Sequence, residues 1–335
     1  MLRDLAFYPV LLMGLSAFTF VAPQQNGIFA LVQILIPHLY ILALLLLPLT
    51  VADRAGPLRI AMGLAFLVAA VTFGGEWISI PPEPNGGQAI VVATWNLESK
   101  SPTDSGFAAV VAGLSADVVA LQELTPDMAE AFEADARIRD RFRHRVLNPG
   151  LGVTGMGLLS RFAVTDSEER TNPLGLEATL DLGDGQLMTV INAHPLPGRI
   201  ETATPLRIPV GFEPASRDAA LNRLALRVDQ ARESGHPIVL LGDLNVAPTE
   251  PAYDDIAAGL IDVHAQVGMG PGWTWRPSPL RWIPTGLLRI DYVLLADGLE
   301  PAAIWTDCAY PGDHCVLVAT IMLSPDAHLA AQPPD

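Results

Sequence analysis

Positive charge and cysteine are scarce in this chain of 335 residues. Lys and Arg number 20 against 36 Asp and Glu, a net charge of −16. That balance repels long polyanions on average and disfavours tight, nonspecific binding along a nucleic-acid backbone. Two cysteines, Cys308 and Cys315, allow one disulfide at most, so a disulfide-built scaffold is excluded. No internal repeat is visible, which sets solenoid architectures aside. Charge of either sign is nearly missing from residues 1–80, where only Arg3, Asp4, Asp53, Arg54, Arg59 and Glu76 carry it. Residues 1–87 hold three Arg and four acids, which leaves 17 basic and 32 acidic residues in the rest. The acidity therefore belongs to the part after residue 87.

What fills residues 1–80 is apolar. The mean hydropathy of the whole chain is +0.34, above the usual range of soluble domains, and the excess is concentrated here. Three stretches, Leu5–Val21, Ile28–Val51 and Ile60–Ile80, each approach the ~20 residues needed to span a bilayer. The first also resembles a signal peptide with a weak cleavage site at Val21-Ala22, but two further spans follow it closely. A three-helix anchor over residues 1–80 is the expectation. Arg3, Arg54 and Arg59 place the N-terminus and the second loop in the cytoplasm, because the loop 22–27 carries no charge. The chain after Pro81 is then extracytoplasmic, and the protein is a multi-pass protein of the cell membrane. Trp77 suits the outer interface. "PPEPNGG" at 81–87 is a linker, stiff and then flexible. Gln33 and His38 inside the second span are read as tolerated polar groups, being too far apart to share one helical face.

Residues 88–323 read as one globular domain, with 324–335 as a loose tail. Apolar, β-branched runs at 89–97, 118–124, 155–164, 187–195, 237–245, 288–296 and 315–323 predict strands. Helices are predicted at 104–117, capped by Asp104 or Ser105, and at 125–136, where Thr125 precedes Pro126. The clearest helix is 216–235, with Ser216 as cap and Gly235 past its end. Many strands and few crossover helices imply a two-sheet sandwich flanked by helices.

The polar residues of these strands gather at their ends: Asn96 and Glu98, Glu123, Asn192 and His194, Asp243 and Asn245, Asp291, then Asp313 and His314. Strand ends on one rim of a sandwich can converge on one cleft. Carboxylates, amides and imidazoles together there are the parts of a hard-metal hydrolytic site. Singly each has an ordinary reading: an exposed residue after a buried strand, an Asx turn in "GDLN", or a surface ion pair of Arg289 with Asp291.

The ordered series "TWNLE" (94–98), "LQE" (121–123), "LLSR" (158–161), "NAHP" (192–195), "GDLN" (242–245), "RIDYVLL" (289–295) and "GDH" (312–314) resembles the endonuclease/exonuclease/phosphatase superfamily. The resemblance covers 88–323. It implies a four-layer αββα sandwich, two mostly antiparallel sheets flanked by helices, here preceded by three transmembrane helices. It implies Mg²⁺ as cofactor, with Mn²⁺ as a substitute, held by Glu123 with Asn96, Glu98 and Asp313. It implies catalytic roles for Asp243 and Asn245 at the attacking water and phosphate, and for His194 at phosphate or leaving group. Asp291 would hydrogen-bond the catalytic His314. Either Asp243 or His314 can serve as base, and a second metal stays open.

The expected activity is hydrolysis of a small-molecule or lipid-linked phosphoester outside the cytoplasm. An extracytoplasmic nuclease is the alternative, disfavoured by the acidic domain, and a non-catalytic envelope scaffold a distant third. No protein partner is inferable. Cys308 and Cys315 bracket "AYPGDH", and an extracytoplasmic location permits a bridge that restricts the Asp313–His314 turn; two free buried thiols are the other reading. Five alternating arginines at 137–145 form one face only if that segment is a strand, and a helix end makes them a solvated run. "GWTWRPSPLRW" (272–282) supplies three tryptophans for a cleft wall, a membrane-facing rim, or the core.

Overall fold

The computed structural model describes residues 2–53, 56–79, 86–100, 106–203, 208–296, 298–310 and 312–324. Two six-stranded mixed sheets form the centre. The first runs in the order Leu299–Asp307, Val316–Leu323, Gln88–Asn96, Val118–Gln122, Met156–Ser160, His144–Asn148. The second runs Ile261–Asp262, Asp291–Ala296, Ile238–Asp243, Leu187–Ala193, Leu174–Asp181, Ala163–Thr171.

Side-chain alternation along the central strands explains their unbroken apolar runs. Val118 and Ala120 point into the core between the sheets, while Val119 and Leu121 point to an outer layer with Phe107 and Phe132. Val239 and Leu241 face the same inner core, while Ile238 and Leu240 pack under Leu221 and Leu224 of the helix Ala215–Arg232. A strand covered on both faces has no polar face to show. Helices Gly106–Gly113 and Pro126–Ala134 cover one sheet and Ala215–Arg232 the other, which completes the α-β-β-α layering.

Two parallel pairs aim the site residues at one rim. Gln88–Asn96 and Val118–Gln122 run in parallel with Asn96 opposite Gln122, so Asn96, Glu98 and Glu123 leave the sheet at the same edge. Ile238–Asp243 and Leu187–Ala193 also run in parallel, and Asp243 pairs with Asp291 on the antiparallel neighbour. Asn192 does not join that rim. Its side chain lies between the sheets, where it accepts from Gln122 Nε2 at 2.7 Å and donates to the carbonyls of Leu121 and Gly157.

Several expectations shift by a few residues or more. Thr125 caps its helix by accepting from Met128 N, but the long helix opens at Ala215 after Pro214, so Ser216 lies inside it and is not its cap. The cap expected at Asp104 or Ser105, the linker residues 81–85 and the tail 325–335 lie outside the described residues. The arginine run divides between the helix Ala136–Arg141 and the strand His144–Asn148. Arg139 and Arg141 bond backbone carbonyls, and Arg137 and Arg145 pair with Asp135 and Glu133, so the run forms no single basic face.

Among the described residues, two helices, not three, are long and apolar enough to cross a membrane: Gly27–Ala52 and Pro57–Trp77. Phe7–Val21 has 15 residues, about 22 Å of helix against a hydrocarbon core of about 30 Å. The three helices pack together around Leu12, Ile36, Met62 and Phe73. Gln33 and His38 are not idle polar groups in lipid. Gln33 Nε2 donates to the Thr249 carbonyl at 2.6 Å, and the His38 ring stacks on Trp273 at 4.6 Å. At the C-terminal end of Pro57–Trp77, Glu76 pairs with buried Arg289, whose main partner is Asp262, not Asp291. Burying these polar groups against partners ties the helices to the globular domain.

Candidate active site

The carboxylate of Asp243 is the hub of the rim. Its Oδ2 accepts from Asn96 Nδ2 at 2.9 Å and lies 3.4 Å from His194 Nε2 and 3.6 Å from His314 Nε2. Its Oδ1 accepts from the backbone N–H of Asn245 at 3.0 Å. Asp243, Asn96, His194, Asp291 and His314 are all buried. The strand delivers Asp243 to this point through Gly242, whose φ of +141° brings its Cα so close to the Ala193 carbonyl that a Cβ would lie 2.0 Å from that oxygen. Only glycine fits such a crossing.

Glu123 stands on the other side of Asn96. Its Oε1 accepts from Asn96 Nδ2 at 3.2 Å and lies 3.9 Å from His194 Nε2. Its Oε2 accepts from the backbone and hydroxyl of Ser99. The Asn96 amide thus bridges two acids with its nitrogen, and its oxygen accepts the Glu98 N–H. Asn96 therefore turns its nitrogen toward Glu123 and Asp243 and its oxygen toward the turn at Glu98. Glu98 is paired with Arg281 from the 276–287 loop.

His314 donates through Nδ1 to Asp291 Oδ2 at 2.9 Å, the pairing expected from sequence. Thr274 Oγ1 accepts from the backbone N–H groups of Ile290 and Asp291, and Trp95 Nε1 donates to the His314 carbonyl. Asp313 accepts from Trp275 Nε1 at 3.3 Å, while its Oδ1 is buried without a hydrogen-bond partner. Asn245 donates to the Pro195 carbonyl, and its own carbonyl accepts from buried Arg217.

Electrostatics divide these groups. Burial works against a proton on His314, but the charges of Asp291 and Asp243 outweigh it and hold the imidazole up at about 10. Burial likewise opposes His194, and its hydrogen bond and charge interaction with Asp243, with Glu123 behind, raise it. Burial pushes Asp243 up, yet the two imidazoles bring it below the ordinary carboxylate range. Burial raises Asp291, and the charge of Asp243 adds to it. Burial also raises Asp313, with the nearby charge of Glu98 acting in the same direction. Asp243 is thus held toward its ionised form between His314, which keeps its proton, and His194, whose proton affinity is raised.

Backbone strain falls on the same residues. Among the described residues, four that are not glycine have positive φ, and three of them are Glu98 (52°), Glu123 (55°) and Asn245 (53°). Each such residue costs about 1–3 kcal/mol and persists where the surroundings require it. Glycine would avoid the strain in each turn and would bring no carboxylate or amide.

Asp243, Asp291 and His314 each place an atom within 4.8 Å of the others. Asp291 is committed to His314 Nδ1, so this trio is foremost a hydrogen-bonded relay. A hard divalent cation fits the rim better on its acidic, oxygen-rich side, where Asp313 Oδ1 has a buried lone pair with nothing to accept. Ser99, Thr274, Trp275 and Arg281 were absent from the sequence-based set. Only the tryptophan and arginine of "GWTWRPSPLRW" offered any signal.

Cys308 and Cys315 are joined by a disulfide, as the reading of the Asp313–His314 turn expected. Replacing both by Ser should lower stability by about 2 kcal/mol, the loop-closure value for so short a ring. Thermal melts of the oxidised and double-variant proteins check this, and coincident melting points would show that the bridge carries no stability.

The geometry can be set beside known proteins. The Endonuclease/Exonuclease/phosphatase family model matches residues 93–314, from the first central strand to His314. No curated protein matches. Among solved structures, this chain is similar to an endonuclease/exonuclease/phosphatase family protein from Bacteroides thetaiotaomicron, at 13% identity and TM-score 0.55, covering 72% of this chain and 100% of that one. It is similar to TDP2 of D. rerio complexed with a single-strand DNA product, at 20% identity and TM-score 0.53, covering 70% and 98%. Sphingomyelinase C from Streptomyces griseocarneus is 18% identical, with TM-score 0.50, covering 70% and 99%. At these identities the structures speak for the fold, whereas the family match extends over most of the chain and ends on the histidine of the relay just described. The chain belongs to the endonuclease/exonuclease/phosphatase family.

Proposed function

We propose that this chain is a membrane-anchored, divalent-metal-dependent phosphoesterase whose catalytic domain, residues 88–323, lies outside the cytoplasm. The observation that carries the reading is the single oxygen of Asp243 shared by Asn96, His194 and His314. A carboxylate held low beside a protonated His314 and beside His194 can take a proton from water, while the imidazoles face the charge that develops on phosphoryl oxygens. His314 holds its proton at neutral pH, so Asp243 is the base and His314 the donor. Asp291 orients His314, Asn245 positions the phosphate beside the water, and His194 serves the phosphoryl or leaving oxygen.

The metal would be held by Glu123, Glu98 and Asp313, with Asn96 bridging Glu123 to Asp243. When bound, magnesium or manganese would neutralise phosphate charge. Residues 1–80 form the anchor, 81–87 the linker and 324–335 the tail. With two spans, the loop around Arg54 and Arg59 is the cytoplasmic one, and Pro57–Trp77 leads outward to the domain.

A nuclease is the second reading, favoured by the DNA product in the D. rerio TDP2 structure. The 32 acids against 17 basic residues after position 87 oppose it. The test uses full-length protein in detergent with bis- and mono-p-nitrophenyl phosphate, phospholipid and plasmid DNA, with Mg²⁺, Mn²⁺ or EDTA. The expected result is metal-dependent turnover of a small or lipid phosphoester with intact DNA. Equal turnover in EDTA, or none on any substrate with either ion, would overturn the proposal, and preferential DNA cleavage would select the nuclease.

A further inference from the structure

The structure contains a two-stranded hairpin, Arg199–Ala203 with Ile208–Glu213, that belongs to neither central sheet. It starts directly after the His194 strand and is fastened to the site. Phe212 lies under the guanidinium of Arg217 at 5.3 Å, and Arg217 in turn donates to the Asn245 carbonyl at 2.9 Å. At its base, a Cβ on Gly198 would lie 2.6 Å from the Phe212 ring, so the chain passes the ring in close contact. The hairpin is therefore fastened through Arg217 to the segment that carries Asn245.

Its outer surface is wrong for water. Ile200, Ile208 and Val210 are about half exposed, at 55%, 53% and 48%. The strand Ile208–Glu213 packs directly against the apolar helix Gly27–Ala43. That helix and its neighbour turn Phe20, Val21 and Phe29 outward at the same end. The loop after Asn245 leans on the same helix through Gln33 and Thr249, and the 272–288 loop does so through His38, Trp273 and Leu287. Three segments that follow or support site residues thus border one helix that is long and apolar enough to span a bilayer. Exposed apolar side chains continuous with such a helix are what a bilayer covers.

We propose that the hairpin and the outward ends of the apolar helices lie together in the outer leaflet, and that the substrate is a lipid-linked phosphoester entering the cleft from the bilayer surface. The inference rests on the phosphoesterase reading above and names its substrate class. A lipid phosphate already sits at the depth of the headgroups, level with a rim so embedded. Its chains stay in the leaflet beside Ile208 and Val210 while the phosphate reaches Asp243. A soluble phosphoester gains nothing from that surface.

Two measurements test it on full-length protein. The first compares dodecyl p-nitrophenyl phosphate in detergent micelles with methyl p-nitrophenyl phosphate, diesters with one leaving group that differ in chain. The expected kcat/KM favours the dodecyl ester at least tenfold. An I208S/V210S double variant should lose that preference and keep its rate on the methyl ester within twofold. Equal kcat/KM for the two esters in the unaltered protein, or a variant that retains the preference, would overturn the inference and leave the phosphoesterase reading intact. Turnover of neither ester would remove both.

The second measurement needs no activity. V210C carrying an environment-sensitive nitrobenzoxadiazole dye is reconstituted in phosphatidylcholine vesicles. Blue-shifted emission quenched by a shallow spin-labelled lipid is expected. A water-like spectrum would overturn the placement. So would a blue-shifted dye that lipid quenchers cannot reach, which would show a protein contact over the hairpin instead.

Discussion

Asp243→Asn should lower kcat for phosphoester hydrolysis by about a thousandfold, within the span ascribed to a positioned general base together with the charge it supplies. The substitution keeps the shape of the side chain and the oxygen that accepts from Asn245 N–H. It removes the negative charge shared by Asn96, His194 and His314, and it turns the base into an amide. Both imidazoles are raised by Asp243, so their affinity for protons should fall in the variant, and the pH profile of residual activity should move with them. That shift separates loss of the hub from simple misfolding, which would leave no profile to measure. The expected stability change is small beside the kinetic one, about 1–3 kcal/mol for a disturbed buried hydrogen-bond group. A variant with at least a tenth of the native kcat and an unmoved pH profile would show that Asp243 is neither base nor hub.

Sequence reading located this rim because the family's fold places its chemistry at strand ends, and those strands are apolar on both faces. Val118–Gln122 and Ile238–Asp243 show no polar alternation, so the first polar residue after each marks where the strand leaves the core. Strands without that signature went unseen. Ala163–Thr171 is an edge strand of mostly exposed, charged residues, and Arg199–Ala203 is exposed throughout. Neither has the half-buried pattern that period-2 reading needs.

The supporting groups escaped for a different reason. Thr274 and Ser99 act by hydrogen bonds from loops, and loop geometry has no period to read. Gln33 and His38 were judged against lipid alone, whereas their partners, Thr249 and Leu287, lie more than two hundred residues away. Phe7–Val21 falls short as a span because the apolar run from Leu5 to Val21 is itself brief and a turn at Ala6 separates it from the helix Leu2–Leu5.

Glu123→Ala should abolish most activity as well, about a hundredfold or more, and it should do so through the cation. Glu123 differs from Asp243 in its surroundings. It is partly exposed, with 15% of its side chain accessible, and its hydrogen-bond partners are Asn96 and Ser99. Ser99 holds one of its oxygens and Asn96 the other, so its carboxylate is fixed at the open side of the rim, where a cation would arrive from solvent. Removing it should raise the Mg²⁺ concentration that gives half-maximal rate by tenfold or more, on the scale of losing one oxygen ligand or its support, and excess metal should recover part of the lost rate. Asp243→Asn should not be rescued in that way, because it loses the acceptor for the water proton. The two variants assayed side by side over a Mg²⁺ titration therefore distinguish the metal-holding half of the rim from the proton-handling half. If Glu123→Ala lowers the rate with an unchanged metal midpoint, the carboxylate works on the substrate or on Asn96, and the cation must be sought nearer Asp313, whose buried Oδ1 has no hydrogen-bond partner.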